Sequence, residues 1–478
     1  MVEQIPVRNP RTGQFDDFIT PPTPEQLKAH AERLRQAQRD WWHAGLAERI
    51  TALQQWREIL LARKQELASV LAVDTGRWPE SVLEVEVVIS SIERWCRLAP
   101  SLLVEREPAH TSIPFIELKS QLVPYPLVGV ISPWNFPLLL STMDAIPALL
   151  AGCAVLVKPS EVTPRFIRPL NETVASVPLL RDVFGFVQGA GETGAALIQL
   201  IDLVCFTGSV ETGHIVGEAA ARRFIPAFLE LGGKDPAVVL ESADLELATS
   251  AILWGSVVNA GQSCLSIERI YVAETIFDRF VEKLVDKATR VQLAYPSYQD
   301  GRIGPIIDVH QADIIAAHLR DAVEKGATIH CGGSIEQLGG GLWCRPTVLT
   351  NVNHSMKVMT EETFGPLMPV MPFSTVQQAI DLANDTIYGL SAAVFGSEQD
   401  ALTVAQKLEA GAISINDAAL TSVMHEGEKH SFKRSGLGGS RMGPASIMRF
   451  LRKKALIIKT EPVVDPWWFE ELKTQSIS

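Results

Sequence analysis

From Leu127 onward, short apolar runs alternate with helical stretches, and this rhythm constrains the fold more than any other feature. "LVGVIS", "AVLVKPS", "VFGFVQ", "LVCFTGS" and "AFLELGG" follow one another with helix-patterned text between most of them. Beyond Gly232-Gly233 the rhythm resumes with "PAVVLES", "ERIYVAE", "ATIHCGG", "MPVMPF", "SAAVFGS" and "GAISIND". Strands this apolar are buried on both faces, and helices must cover them. The pattern predicts two doubly wound α/β domains with parallel sheets, divided near Gly232-Gly233. Upstream, residues 24–70 read as helix, opened by Thr23-Pro24 as cap and first turn. Between Thr111 and Val130, "TSIPFIELKSQLVPYPLVGV" reads as strand or hairpin, and its prolines favour sheet edges.

A chain of 478 residues is long enough for such domains. Lys and Arg total 43 against 55 Asp and Glu, a net charge of −12 that argues against nucleic acid and anionic membrane as partners. The apolar stretch Leu127 to Val157 is broken by Pro133, Asn135, Pro137, Asp144 and Pro147, so no membrane span is expected. Six dispersed cysteines without a CxxC pair suggest neither disulfides nor a metal site. A cytoplasmic setting is expected from these cysteines and from the lack of a basic-then-apolar N-terminal segment.

Gly189-Ala190-Gly191-Glu192-Thr193-Gly194 matches a dinucleotide fingerprint after the strand "VFGFVQ". About 20 residues on, where a ribose-binding carboxylate would stand, Gly208 to Glu211 form a second glycine turn instead. In that turn Ser209 is either a phosphate ligand or a plain N-cap. Cys264, in "NAGQSC", is either a small hydrophobe or a nucleophile, and a nucleophile needs a base and oxyanion donors. Glu230, at a strand end before two glycines, is either that base or an ion-pair partner of Lys234. Asn135, an amide in an apolar run between two prolines, is either a helix cap or an oxyanion donor.

"SPWNFP", "KPSEVTP", "FTGS", "ELGGKDP", "GQSC" and "EETFGP" occur in that order, and together they resemble the NAD(P)-dependent aldehyde dehydrogenase superfamily. The resemblance runs from "NPRTGQ" to about residue 450. It implies Cys264 as nucleophile, Glu230 as general base, and the Asn135 amide with the Cys264 N–H as oxyanion hole. It implies Lys158 and Glu161 on the adenosine ribose, and the turn of Gly208, Ser209 and Gly213 on the pyrophosphate. Glu362 and Phe364 would hold and orient the nicotinamide riboside, and Trp134 would line that cleft. Phe136, Leu140, Met143, Val258 and Leu265 would line the substrate tunnel. The cofactor is then NAD, with NADP less favoured, and the 189–194 turn is a decoy.

By the same resemblance, residues 1–105 and 125–232 form a Rossmann-like cofactor domain, and 233–452 a catalytic domain. Residues 106–124 and 453–478 form an oligomerisation element, whose hairpin joins a partner's C-terminal strand in a homodimer or homotetramer. The tail carrying Trp467-Trp468 would pack on a neighbour or on its own subunit. The expected reaction is oxidation of an aldehyde to an acid through a Cys264 thiohemiacetal and thioester, the latter hydrolysed by water that Glu230 activates. An apolar tunnel points to medium-length aliphatic or aromatic aldehydes. The alternatives are a semialdehyde or CoA-acylating dehydrogenase, a cysteine hydrolase, and a structural protein without turnover. Two segments depart from the family pattern: "EGEKHSFKRSG" replaces an aromatic-Gly-Gly sequence near the substrate entrance, and the following "LGGSRMG" differs from the commoner "GR" ending. At the entrance His425, Lys429, His430 and Lys433, partly offset by Glu426 and Glu428, form either a solvated rim or an attraction for a substrate's distal carboxylate.

Overall fold

The computed structural model describes residues 4–104 and 107–461. Trp467-Trp468 and the tail around them lie outside the described residues. Thr23 caps helix Pro24–His43 through a reciprocal pair with Gln26, and Pro24 sits where its missing N–H costs nothing. Three more helices follow: Gly45–Ala62, Lys64–Thr75 and Pro79–Leu102.

The first sheet has six strands, in the order Gly436–Leu437, Ala227–Glu230, Leu203–Thr207, Leu127–Ile131, Ala154–Lys158 and Phe184–Phe186. The last five pair in parallel. The chain starts in the middle at Leu127–Ile131, runs outward to Phe186, then returns to build the other half. That reversal leaves a crevice at the strands' carboxyl ends, where open α/β sheets bind ligands. Strands Leu127–Ile131, Ala154–Lys158 and Leu203–Thr207 are buried throughout, as continuous apolar runs require.

The second sheet has seven strands: Thr328–Cys331, Thr347–Thr350, Leu367–Phe373, Ile267–Ala273, Asp235–Val239, Ser391–Phe395 and Ala412–Ile415. All neighbours are parallel except the first pair, which is antiparallel. Each sheet has its own apolar core, around Trp56, Phe166 and Phe184 in one and Tyr271, Phe280 and Trp343 in the other. Ile447 and Phe450, from beyond the second sheet, are buried in the first core.

The third sheet corrects an expectation. Strand Leu451–Lys459 pairs along nine residues with Ile116–Pro124 of its own chain, from Leu451 opposite Pro124 to Lys459 opposite Ile116. The turn before it delivers the chain there, since Tyr125 N–H donates to the Phe450 carbonyl at 3.1 Å. The cross-subunit pairing expected from the family resemblance is thus made within one chain. Ile116–Pro124 is also the middle strand of its sheet, because Ala109–His110 covers its other side. Its prolines end the strand; they do not mark an edge.

Candidate active site

Four loops leave the carboxyl ends of the first sheet's strands, and each carries candidate residues. Asn135 follows Leu127–Ile131, Lys158 ends Ala154–Lys158, Ser209 follows Leu203–Thr207, and Glu230 ends Ala227–Glu230. Cys264 comes from the other half of the molecule. Helix Leu245–Val257 stops at a turn in which Asn259, Ala260 and Gly261 take φ of 55°, 56° and 72°. That left-handed run throws the chain back across the helix end. Gln262 fixes it, donating to the Asn259 carbonyl (2.9 Å) and accepting from Ile307 N–H (2.9 Å).

Close backbone approach joins the two halves. A side chain on Gly233 would come within 2.7 Å of the Cys264 carbonyl, and one on Gly232 within 2.3 Å of the Glu362 carboxylate. The two glycines after Glu230 are therefore what lets the cysteine loop and the Glu362 loop meet the end of the base's strand. Asn135 is buried, and its Nδ2 donates to the Gln262 carbonyl at 3.1 Å, two residues before the cysteine. A second N–H on that amide is left for another acceptor.

Asn135 does not cap a helix. The helix that follows, Pro137–Thr142, starts at Phe136 without a side-chain cap. Its free N–H groups at Leu138 and Leu139 go to the buried Glu84 carboxylate, at 3.0 and 3.1 Å. Arg77 donates to the Asn135 carbonyl at 2.6 Å and also bonds Asn259 and Glu84. Sequence reasoning missed Arg77, Glu84 and Asn259. They lie 50 or more residues in sequence from Asn135, and nothing in the local text marks them.

Lys234 is not the partner of Glu230. Its ammonium bonds Glu268 at 2.6 Å and Thr363 at 2.9 Å, wholly buried. Glu268 also accepts from the N–H groups of Thr363 and Phe364, both at 2.7 Å. This shapes the loop carrying Glu362 and Phe364. Phe364, at φ 50°, meets Trp134 edge to face with ring centroids 5.4 Å apart. Glu362 accepts from Gly233 N–H at 3.1 Å, and burial pushes its carboxyl up to about 8.

Glu230 is held by the atypical segment. Ser431 Oγ donates to Glu230 Oε2 at 3.2 Å, and Lys429 Nζ lies 3.7 Å from the same oxygen. The segment is clamped to the strand end: Gly436 pairs with Glu230, Leu231 N–H donates to the Ser435 carbonyl, and Phe432 N–H to that of Gly389. Burial pushes the Cys264 thiol up to about 12, while Lys429 pulls the other way. Arg441, a few residues on, reaches Asp144 (2.8 Å) and Thr207.

Lys158 and Glu161 are joined at 3.0 Å, with the lysine enclosed and the carboxylate about one-third exposed, so a ribose could meet it. Ser209 caps helix Val210–Arg223 through Thr212 N–H at 3.2 Å, as its plainer reading expected. Gly213 lets that helix sit close on Leu231, 2.4 Å from where its Cβ would stand. In the 189–194 turn, Gly189 has φ +149° and packs on Thr193, with helix Gly191–Ile198 following. Phe136, Leu140, Met143, Val258 and Leu265 are each half-buried and belong to neither apolar core. Among the described residues, no helix is long and apolar enough to cross a membrane.

The model of the aldehyde dehydrogenase family matches residues 1–456. The solved structure of PutA from Anabaena variabilis is 66% identical, covers 98% of this chain and 100% of its own, and superposes with a TM-score of 0.96. Betaine aldehyde dehydrogenase from Staphylococcus aureus, solved in complex with NAD+, is 31% identical, with 97% and 93% coverage and a TM-score of 0.91. Aminoaldehyde dehydrogenase 1 of Pisum sativum, a peroxisomal protein, is 33% identical over 482 residues, 98% of this chain and 95% of its own.

Proposed function

Because the chain belongs to the aldehyde dehydrogenase family, we propose that it oxidises an aldehyde to a carboxylic acid with NAD, using Cys264 as nucleophile and Glu230 as base. The observation that carries this is the convergence at Gly233, where the strand end after Glu230 abuts the Cys264 carbonyl while Asn135 holds the Gln262 carbonyl.

Cys264 gives its proton to solvent and, as the thiolate, attacks the carbonyl carbon, giving a thiohemiacetal oxyanion. The second N–H of Asn135 Nδ2 and the Cys264 backbone N–H stabilise that charge, which water would otherwise have to solvate. When bound, NAD supplies the nicotinamide that accepts the hydride. Cys264 is then left as a thioester. Glu230 takes a proton from water, the resulting hydroxide adds to the thioester carbon, and the acid departs as the Cys264 thiolate is restored.

Glu161 supports NAD over NADP, since its exposed carboxylate suits ribose hydroxyls and repels a 2′-phosphate. Lys158 beside it makes this a preference, so NADP is the less favoured cofactor. Trp134, Phe364 and Glu362 would flank the nicotinamide riboside, and the N–H groups of the Gly208-Ser209 turn the pyrophosphate. The half-buried Phe136, Leu140, Met143, Val258 and Leu265 support medium-length aliphatic or aromatic aldehydes, at about 0.8 kcal/mol per added methylene. Lys429 at Glu230 supports a second reading, a semialdehyde with a distal carboxylate. At least a dimer is inferred, because strand Leu451–Lys459 lies at its sheet's edge with Leu456, Ile457 and Ile458 exposed. A cytoplasmic setting is inferred from the six unpaired cysteines.

The test is kcat/KM from NADH formation with acetaldehyde, hexanal, benzaldehyde and succinic semialdehyde, with and without CoA, for the wild type and Cys264→Ala. Hexanal or benzaldehyde should lead without need of CoA. The variant should be inactive while binding NAD normally. Turnover in Cys264→Ala overturns the assignment, and a lead for acetaldehyde overturns the apolar tunnel.

A further inference from the structure

The segment that departs from the family pattern does more than border the entrance. Residues 426–436 turn back so that two side chains, Lys429 and Ser431, reach the carboxylate of Glu230. The backbone around them is fixed. Lys429 N–H donates to Ser440 Oγ at 3.0 Å, and Ser435, wholly buried, accepts from Gly389 N–H at 2.9 Å. The Lys429 side chain is only 9% exposed and that of Glu230 15%. An ammonium enclosed to this degree is costly unless it is paired, so it does not swing freely in solvent as a rim lysine would.

Its charged surroundings are carboxylates from several elements and one thiol. Glu230 comes from the first sheet, Asp235 from the second, and Cys264 from the loop after helix Leu245–Val257. Glu362 faces the thiol from its own loop, and Arg441 faces Glu230. Glu428 on the same segment packs at Gly443, and the His430 backbone packs at Gly411. Asp235, Glu362 and Glu230 oppose a negative charge on Cys264 when they are ionised, and the Lys429 ammonium acts against them. A nucleophile among three acids needs such a charge, since the thiolate is the attacking species. The base needs it for placement, because Lys429 and Ser431 both engage Glu230 Oε2 and so fix the carboxylate's orientation.

We propose that Lys429 is a positioning residue whose ammonium, together with the Ser431 hydroxyl, holds the Glu230 carboxylate in place as the base and brings a positive charge to the side of Cys264. The proposal rests on the reading of Cys264 and Glu230 given above. Ser431 fixes the Glu230 carboxylate by its hydrogen bond, and Lys429 supplies the charge. The lysine exchanges nothing with substrate.

The experiment uses the full-length enzyme with Lys429→Met, Lys429→Gln and Lys429→Arg. The rate of Cys264 alkylation by iodoacetamide is followed against pH without substrate, and kcat and KM are followed with hexanal and succinic semialdehyde. Met and Gln should each move the alkylation profile to higher pH by about one unit, the effect of removing a nearby opposite charge, and should lower kcat with hexanal without raising its KM. Alkylation near neutral pH should then slow roughly tenfold. Arginine keeps the charge and should hold the alkylation rate and kcat within about threefold of the wild type at every pH. Gln retains a donor without the charge, and NAD binding reports folding in every variant. An unmoved alkylation profile with a uniformly lower kcat would make Lys429 structural. A KM increase confined to succinic semialdehyde, again with an unmoved alkylation profile, would assign it to substrate. Either result overturns the proposal while leaving the Cys264 reading intact, whereas activity in Cys264→Ala removes the reading itself.

Discussion

Glu268→Ala tests whether the loop of Glu362 and Phe364 is built by one buried acid. Glu268 accepts three hydrogen bonds, from Lys234 Nζ at 2.6 Å and from the N–H groups of Thr363 and Phe364 at 2.7 Å. Removing it strands the wholly buried Lys234 ammonium, and breaking a buried pair in this way costs about 3–5 kcal/mol. The two stranded N–H groups push the result toward the upper end of that range. The Lys234→Met/Glu268→Met double variant leaves no unpaired charge, so it should recover most of the loss but not the share owed to those N–H groups.

The deficit should also depend on pH. Burial already holds the Lys234 ammonium below its ordinary value, and Glu268 opposes that fall. Without Glu268 it falls further, so between that lowered value and the ordinary lysine range the folded variant binds fewer protons at this site than the unfolded chain. Stability then rises with pH, and the gap to wild type should narrow from pH 6 to about 9. Urea unfolding across that range measures this, and NAD titration should show affinity weakened by about tenfold as Phe364 loses its anchor. A Glu268→Ala variant within about 1 kcal/mol of wild type and flat with pH would refute the reasoning.

Three further outcomes follow from the site. Asn135→Ala should lower turnover roughly 10²–10³-fold, the cost of one oxyanion donor, with little change in NAD affinity; a near-normal rate would remove Asn135 from the chemistry. Glu230→Gln should give a pre-steady-state burst of NADH followed by slow turnover, because the thioester forms and then waits for water; a slow first turnover without a burst would place Glu230 earlier. Glu161→Gln should narrow the preference for NAD over NADP by roughly tenfold in kcat/KM, and an unchanged ratio would show that the carboxylate does not face the ribose.

The parallel sheets were legible because fully apolar strands such as "LVGVI" and "AVLVK" admit few other placements, and the helix starting at Thr23-Pro24 because its cap is written in adjacent residues. The family was legible because its motifs are local and ordered. Those same motifs leave their partners blank. Nothing near Glu230 in the sequence says that it meets Lys429 and Ser431, about 200 positions on, and not Lys234, four positions on. That choice belongs to the paths of two backbones, one clamped at Gly389 and Gly436 and the other turned inward toward Glu268. The pairing of Leu451–Lys459 within its own chain is likewise a matter of where Phe450 delivers the strand, not of its composition. Short-range propensity and hydrophobic pattern are properties of neighbours in sequence, so the sequence alone determined the strands, the helices and the identity of the reactive side chains. Electrostatics acts through space, so only the tertiary structure decided which charge stands beside the cysteine and the base.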